Sequence, residues 1–268
     1  MEIKMSAISY ETILFEKKGN IVKLTLNRPE KLNAVNLKTL SELEDAMYKT
    51  AYDEDIKVLI VTGAGRGFCS GFDLTEGIDF NNAIPFAQRI MERVTKVVLG
   101  FTQIPKLIIA AVNGPAIGLG LGLVLTADIS IASEEAMFST PFVLRGLHPD
   151  TATTYFLPKI VGLTRARELL LTGKAISAKE AGNLGIVNRV VTSDKLQAEV
   201  AKIAQDWATG PQIALTMAKS SIYQMLPLDL ASALELEARA QCECFATKDI
   251  KEALEAWKGK RQPIFNGR

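Results

Sequence analysis

Histidine occurs once in this chain of 268 residues, at His148, and tryptophan twice. One imidazole cannot build a metal site, and the Asp128, Glu134, Glu135 group lacks ligand spacing on a common face, so no metal is expected. The three cysteines, Cys69, Cys242 and Cys244, offer no paired framework. Cys242 and Cys244 stand two apart in a helical pattern and point in different directions, so all three are expected as reduced thiols without ligand roles. No apolar run reaches the roughly 18 residues that a membrane span needs, and residues 1–19 carry Glu2, Glu11 and Glu16 in place of an apolar leader core. Asn266-Gly267-Arg268 is not a peroxisomal tripeptide of the SKL type. The expectation is a soluble, cytoplasmic protein with no membrane partner. An excess of one charge is lacking too: 31 Lys and Arg face 30 Asp and Glu, spread without runs, which points away from nucleic acid as a partner.

What is present is apolar. With 48% hydrophobic residues the chain can bury one sizeable core without staples. Its organising stretch runs from Ile108 through Asn113-Gly114-Pro115 to Leu123: an apolar strand, a tight turn and the start of a helix. Gly118, Gly120 and Gly122 leave one face of that helix bare, so a ligand or a neighbouring backbone can approach the main chain closely. Free N–H groups at a helix start favour negative charge. A dinucleotide fingerprint fits poorly, because the third Gly is one residue early and no acidic residue ends a following strand at the required distance. Close helix packing alone remains an alternative.

A second turn of the same kind lies upstream. Lys57-Val58-Leu59-Ile60-Val61-Thr62 is a β-branched run, followed by Gly63-Ala64-Gly65-Arg66-Gly67 and then Phe68-Cys69-Ser70-Gly71-Phe72-Asp73-Leu74. It is not a Walker loop, since no Gly-Lys-Ser/Thr closes it. Two strand-to-helix turns that each present a backbone N–H can together hold one oxygen that becomes anionic during a reaction.

Around these turns the hydrophobic period predicts an opening hairpin at 12–16 and 21–26, where Val22, Leu24 and Leu26 alternate with Lys23 and Thr25. Helices are predicted at 36–52, 85–101 and 162–172, a capped helix start at Ser177-Ala178-Lys179-Glu180, and a largely helical chain from Ser193 onward. Short extended pieces are expected at 128–132, 136–139 and 187–191, giving a right-handed, parallel arrangement. Residues 75–84 read as a mobile loop. Asp150 precedes a helical run, and on the residues alone it reads first as an N-cap. His148, two positions before it, reads as a rim or loop-fixing residue rather than a general base.

Three segments, Asn27-Arg28-Pro29-Glu30-Lys31-Leu32-Asn33-Ala34, Arg66 to Leu74, and Val112-Asn113-Gly114-Pro115-Ala116-Ile117-Gly118, resemble the enoyl-CoA hydratase/isomerase (crotonase) superfamily in order and spacing. The resemblance runs from about Ile13 to Phe265. It implies an α/β fold, a crotonase-like ββα spiral core over residues 1–200, and a C-terminal helical trimerisation region over 201–268. It also implies an acyl-CoA thioester as substrate, coenzyme A being part of that substrate and no separate cofactor being needed. The oxyanion donors it implies are the N–H groups of Phe72 and Leu119. Contacts along the substrate would come from Lys31, Leu32, Ala34, Ser70, Gly71, Phe72, Asp73, Leu74, Pro115, Gly118, Leu119, Phe142 and Lys260, although Lys31 reads equally as a solvated surface lysine and Gly259 interrupts the usual ending before Lys260. Members of the family are trimers or dimers of trimers, so a homotrimer or homohexamer is expected, with Leu230, Leu234 and Ala238 on one helical stripe.

Hydratases of the family use two Glu, at positions held here by Gly122 and Phe142. Isomerases with one acid after the Gly-x-x-Pro turn carry it where Asp150 stands. Water addition needs one group to deprotonate water and another to protonate carbon, whereas double-bond migration needs one base that moves a proton. The expectation is an enoyl-CoA isomerase working through an enolate, with Asp150 as acid and base. Three alternatives stay open: a hydratase using an acid from 75–80, a dehalogenase-like or hydrolase-type enzyme with Asp150 as nucleophile, and a non-catalytic acyl-CoA-binding protein.

Overall fold

The computed structural model describes residues 10–75 and 80–267. Strands β1 (Ile13–Lys18) and β2 (Ile21–Leu26) form an antiparallel hairpin. β2 then pairs in parallel with β3 (Val58–Gly63), β3 with β4 (Leu107–Val112), and β4 with β6 (Ile129–Ser133), which carries β9 (Arg189–Val191) at the far edge. A second, three-stranded sheet joins β5 (Ala116–Ile117), β7 (Met137–Ser139) and β8 (Ile176–Ser177). Every residue of β3 and β4 is buried, as expected for parallel strands covered on both faces.

The pleat divides those strands between two apolar clusters. Leu59, Val61, Ile108, Ala110 and Val112 face the main core. It is shared with Leu40, Leu43 and Met47 of α1 (Leu37–Tyr52) and with Val94, Val97 and Phe101 of α2 (Ala83–Gln103). Val58, Ile60, Ile109, Ala111 and Ile131 face the other way, against Leu196, Val200, Ile203 and Ala204 of α6 (Leu196–Ala208). Position 200 therefore falls within a helix that packs on the sheet.

Local chemistry sets the helix ends. Asn36 accepts the Thr39 N–H at 2.8 Å and starts α1. Ser177 does the same for Glu180 at the start of α5 (Ala178–Asn183). The loop expected at 75–84 is shorter than that: Phe80–Asn82 is a turn of 3-10 helix and α2 begins at Ala83, while residues 76–79 lie outside the described residues. The helical run after Asp150 is α4 (Thr153–Thr172), interrupted at Gly162, where φ is 74°. The predicted start at Gly162 is thus the second half of a longer, kinked element.

Beyond α3 (Leu119–Thr126), the chain is pinned by α7 (Gln212–Met225). Lys219 Nζ donates to the Phe101 and Lys106 carbonyls at 3.0 and 2.9 Å and pairs with Asp128 Oδ2 at 2.9 Å. Burial pushes the Asp128 carboxyl up and the Lys219 ammonium down, each partly offset by the other. α8 (Leu230–Phe245) has no buried residue, and α9 (Lys248–Lys258) closes the chain. Among the described residues no helix is long and apolar enough to cross a membrane.

Candidate active site

The two glycine turns meet. Phe68 N and Cys69 N donate to the Pro115 carbonyl at 3.1 and 3.0 Å, and Ile117 N returns a bond to the Cys69 carbonyl at 2.9 Å. A Cβ at Gly120 would stand 2.3 Å from the Cys69 carbonyl oxygen, so the backbones touch at a distance no side chain permits. Gly71 has φ of 101°, and a Cβ there would lie 3.1 Å from the Ile117 oxygen and 4.0 Å from Leu119 N. The bare helix face read from Gly118, Gly120 and Gly122 is therefore filled by protein, which leaves no room for a pyrophosphate. Close packing and the site are the same feature.

That contact orients two main-chain donors. Val35 N donates to the Gly71 carbonyl and Asp73 N to the Val35 carbonyl, both at 2.8 Å. In such a parallel bridge the intervening Phe72 N–H points away from Val35. Leu119 is the first residue of α3, so its N–H is one of the helix's unpaired donors. Among the described residues neither the Phe72 nor the Leu119 N–H has an acceptor.

Several flanking residues hold this frame. Asp73 binds Arg28 Nη2 at 2.9 Å and accepts the Thr75 N–H and hydroxyl at 3.0 and 2.5 Å. Burial alone would raise its pKa, but the Thr75 bonds and the Arg28 guanidinium outweigh that and hold the carboxyl below its usual range. The Asp73 carboxylate is thus tied to Arg28 and Thr75. Asn33 Nδ2 donates to the Ala64 and Gly67 carbonyls at 2.9 and 2.8 Å, and Asn113 Nδ2 reaches the same Gly67 carbonyl at 3.1 Å. Arg28, Asn33 and Asn113 stand within the family-like motifs, but what they hold is visible only in the structure; the one local signal is the Asn113 amide next to Gly114.

The remaining predicted positions are distributed as follows. Lys31 is exposed, with Nζ 3.3 Å from Thr75 Oγ1. Leu32 and Asn33 adopt φ of 49° and 59°, and Ala34 is buried. Ser70 bonds back to this loop, its N–H to the Leu32 carbonyl and its hydroxyl to the Lys31 carbonyl, both at 3.0 Å. Leu74 is exposed and Pro115 half-buried. Cys69 is buried, which pushes its thiol up to about 12 and makes it inert near neutrality. Lys260 is exposed just past α9, which packs along α8.

The loop that carries Asp150 packs on the same helix. The Phe142 ring lies 3.4 Å from where a Gly118 Cβ would be. One turn along α3, a Cβ at Gly122 would stand 2.3 Å from Thr151 Cγ2 and 2.5 Å from the Thr151 carbonyl oxygen. Asp150, half-buried, is therefore held against the helix that presents Leu119. It is not an N-cap: Ala152 takes that position with no side-chain bond. The Asp150 carbonyl, not its carboxylate, receives the Thr153 N–H and hydroxyl at 3.0 and 2.7 Å. The chain enters α4 through Thr151 and Ala152 with φ of 52° and 59°, strain of roughly 1 kcal/mol or more per residue, and this leaves the carboxylate uncommitted to the helix. Burial raises the Asp150 carboxyl above its ordinary range, partly offset by a 2.6 Å bond from Thr151 Oγ1 and by His148. His148 itself is exposed on the loop.

A half-buried acid with raised proton affinity, two N–H groups without an acceptor among the described residues and the Phe142 ring thus lie around one short helix. The enoyl-CoA hydratase/isomerase family profile fits residues 16–268. The chain belongs to this family. It is 35% identical over 260 residues to the 1,2-epoxyphenylacetyl-CoA isomerase of Escherichia coli (strain K12), covering 96% of this chain and 99% of that protein. It is equally 35% identical to the crotonyl-CoA hydratase of Syntrophomonas wolfei, covering 96% and 99%. Among solved structures, the enoyl-CoA hydratase of Bacillus anthracis superposes with a TM-score of 0.92 at 33% identity, covering 96% of this chain and all of that one. The crotonase fold is thereby shown, with C-terminal helices as expected.

Proposed function

We propose that this protein is an acyl-CoA isomerase that moves a double bond along an enoyl chain. The thioester oxygen would accept the Phe72 and Leu119 N–H groups, whose fixed dipoles stabilise the enolate as negative charge moves onto that oxygen. Asp150 would remove a proton next to the thioester and return it further along the chain. Lys31, Leu32 and Ala34 would run along the coenzyme A portion, Phe142 against the acyl group, and Lys260 would reach it from another subunit of a homotrimer or homohexamer.

The observation that carries this reading is steric. Gly122 and Phe142 occupy the positions where hydratases of the family carry their two acids, and Thr151 fills the space beside Gly122, so a second carboxylate has no place there. A single base suits proton transfer between carbons better than addition of water. A hydratase reading is favoured by the name of the Syntrophomonas wolfei relative; it requires a second acid from residues 75–80, of which 76–79 lie outside the described residues. The deciding experiment is a panel of acyl-CoA thioesters assayed side by side for isomerisation, hydration and hydrolysis. Isomerisation lost on Asp150→Asn supports the proposal. Hydration as the dominant activity refutes it.

A further inference from the structure

Thr151 is a costly residue for its place. A β-branched side chain in left-handed backbone is an outlier: among the described residues nine of the other positions with positive φ are Gly, and the remaining four, Leu32, Asn33, Ala152 and Lys260, are not β-branched. What the threonine gains is visible on both branches of its side chain. The methyl is seated at Gly122 of α3, and the hydroxyl donates to Asp150 Oδ1 at 2.6 Å, with the residue only 3% exposed. Among the described residues Asp150 Oδ2 accepts no hydrogen bond, so one carboxylate oxygen is tied and the other is free.

We infer that Thr151 is a positioning residue for the Asp150 base: anchored by its methyl on α3, it fixes Oδ1 through its hydroxyl and presents Oδ2 to the substrate. The inference rests on the reading of Asp150 as the base. Removing the hydroxyl takes a donor away from the carboxylate, so the proton affinity of Asp150 rises and its rotamer is freed. Few other charges intervene. His148 bears on Asp150 from the same loop, and Arg145 Nη1 is turned to the Pro141 carbonyl. α3 brings no titratable side chain between Leu119 and Thr126. On α4, Lys159 Nζ lies over the Tyr155 ring, and from α7 the Tyr223 hydroxyl is bonded to the Thr126 carbonyl.

The test compares Thr151→Val, which keeps the shape, Thr151→Ala, which keeps less of it, and Thr151→Ser, which keeps the hydroxyl. Two quantities are read: the titration of the Asp150 carboxyl carbon by NMR, assigned with Asp150→Asn, and the pH profile of kcat/KM for isomerisation. In Val and Ala variants the titration and the acidic limb should both move to higher pH, with kcat/KM on that limb falling about 10-fold, the scale of a hydrogen bond to a charged group. Thr151→Ser should restore both. An unmoved titration in either hydroxyl-free variant overturns the inference. Turnover that survives in Asp150→Asn instead overturns the base assignment, while the NMR titration still reports on the Thr151 bond, so the two failures are distinguishable.

Discussion

Replacing Gly122 by Ala should destabilise the protein even though it improves the helix. In a helix interior Ala gains about 1 kcal/mol over Gly. Against that, the new Cβ meets Thr151 Cγ2 at 2.3 Å, Thr151 Cβ at 2.5 Å and the Thr151 carbonyl oxygen at 2.5 Å. The turn must open on the order of 1 Å to restore ordinary contact. Overpacking of this kind costs about 1–3 kcal/mol, and the upper end applies because the obstacle includes backbone between two strained residues. The net loss is about 1–2 kcal/mol, a fall in Tm of about 2–8 °C for a chain near this size. Gly100→Ala in α2 is the control, since its Cβ would meet only Met47 side-chain atoms, the nearest Cγ at 3.2 Å. That flexible side chain can give way, so Gly100→Ala should leave Tm unchanged or raised and activity intact. Because the displaced turn carries Asp150, Gly122→Ala should also lower kcat by about 100-fold, the scale of a misplacement near 1 Å. Calorimetry and turnover of both variants check this. Wild-type stability and rate in Gly122→Ala would refute the packing argument, and with it the steric case against a second acid.

Asp150→Asn should fold, retain acyl-CoA binding and lose isomerase activity by about 100-fold or more in steady-state assays. Burial raises the Asp150 pKa, so wild-type kcat/KM should fall as pH drops through a limb above the ordinary carboxylate range. By the same linkage, the contribution of Asp150 to stability is full below its unfolded pKa and lost as pH rises through the folded one, so Asp150→Asn should melt higher than wild type near neutrality. Lys219→Met leaves Asp128 buried and two carbonyls unpaired; denaturant titration should show a loss of about 3–5 kcal/mol, partly recovered by Asp128→Asn in the same chain. Leu230 and Leu234 are 75% and 53% exposed on α8, and light scattering at micromolar concentration should give a trimeric or hexameric mass, a monomeric mass being the refuting result.

The fold was legible where the period was strong. Buried β3 and β4, the alternation of Val22, Leu24 and Leu26, and the Asn36 and Ser177 caps all follow from residue type and spacing. On residue type alone Asp150 reads as an N-cap, the default role of an Asp before a helical run, and that reading does not hold, because Ala152 takes the cap position. Nothing local announces that Thr151 and Ala152 take left-handed backbone and move the helix start beyond its reach. That geometry is imposed by α3, about thirty residues upstream. At Gly162 the sequence placed a helix start, and the structure has a kink there that joins the predicted helix to the run after Asp150.

The two proposed oxyanion donors illustrate the deeper limit. Both are main-chain N–H groups, so the identities of Phe72 and Leu119 carry no signal of their own; what sequence exposes is the glycine that permits each approach. Position then depends on side chains that hold the turns from outside them. Arg28 grips Asp73, and Asn33 and Asn113 converge on one carbonyl, that of Gly67. Such buried polar contacts are worthwhile only when every member is satisfied, so each amide must be matched to carbonyls in a turn far away in sequence. The acid follows the opposite logic. Asp150 is identifiable by type, yet the role proposed for it as a base needs burial and an uncommitted oxygen, and Thr151, seated against Gly122, ties the other oxygen. A donor is therefore found through its glycines and an acid through its packing, and the one helix that both share, α3, was the stretch around which the sequence could be organised from the start.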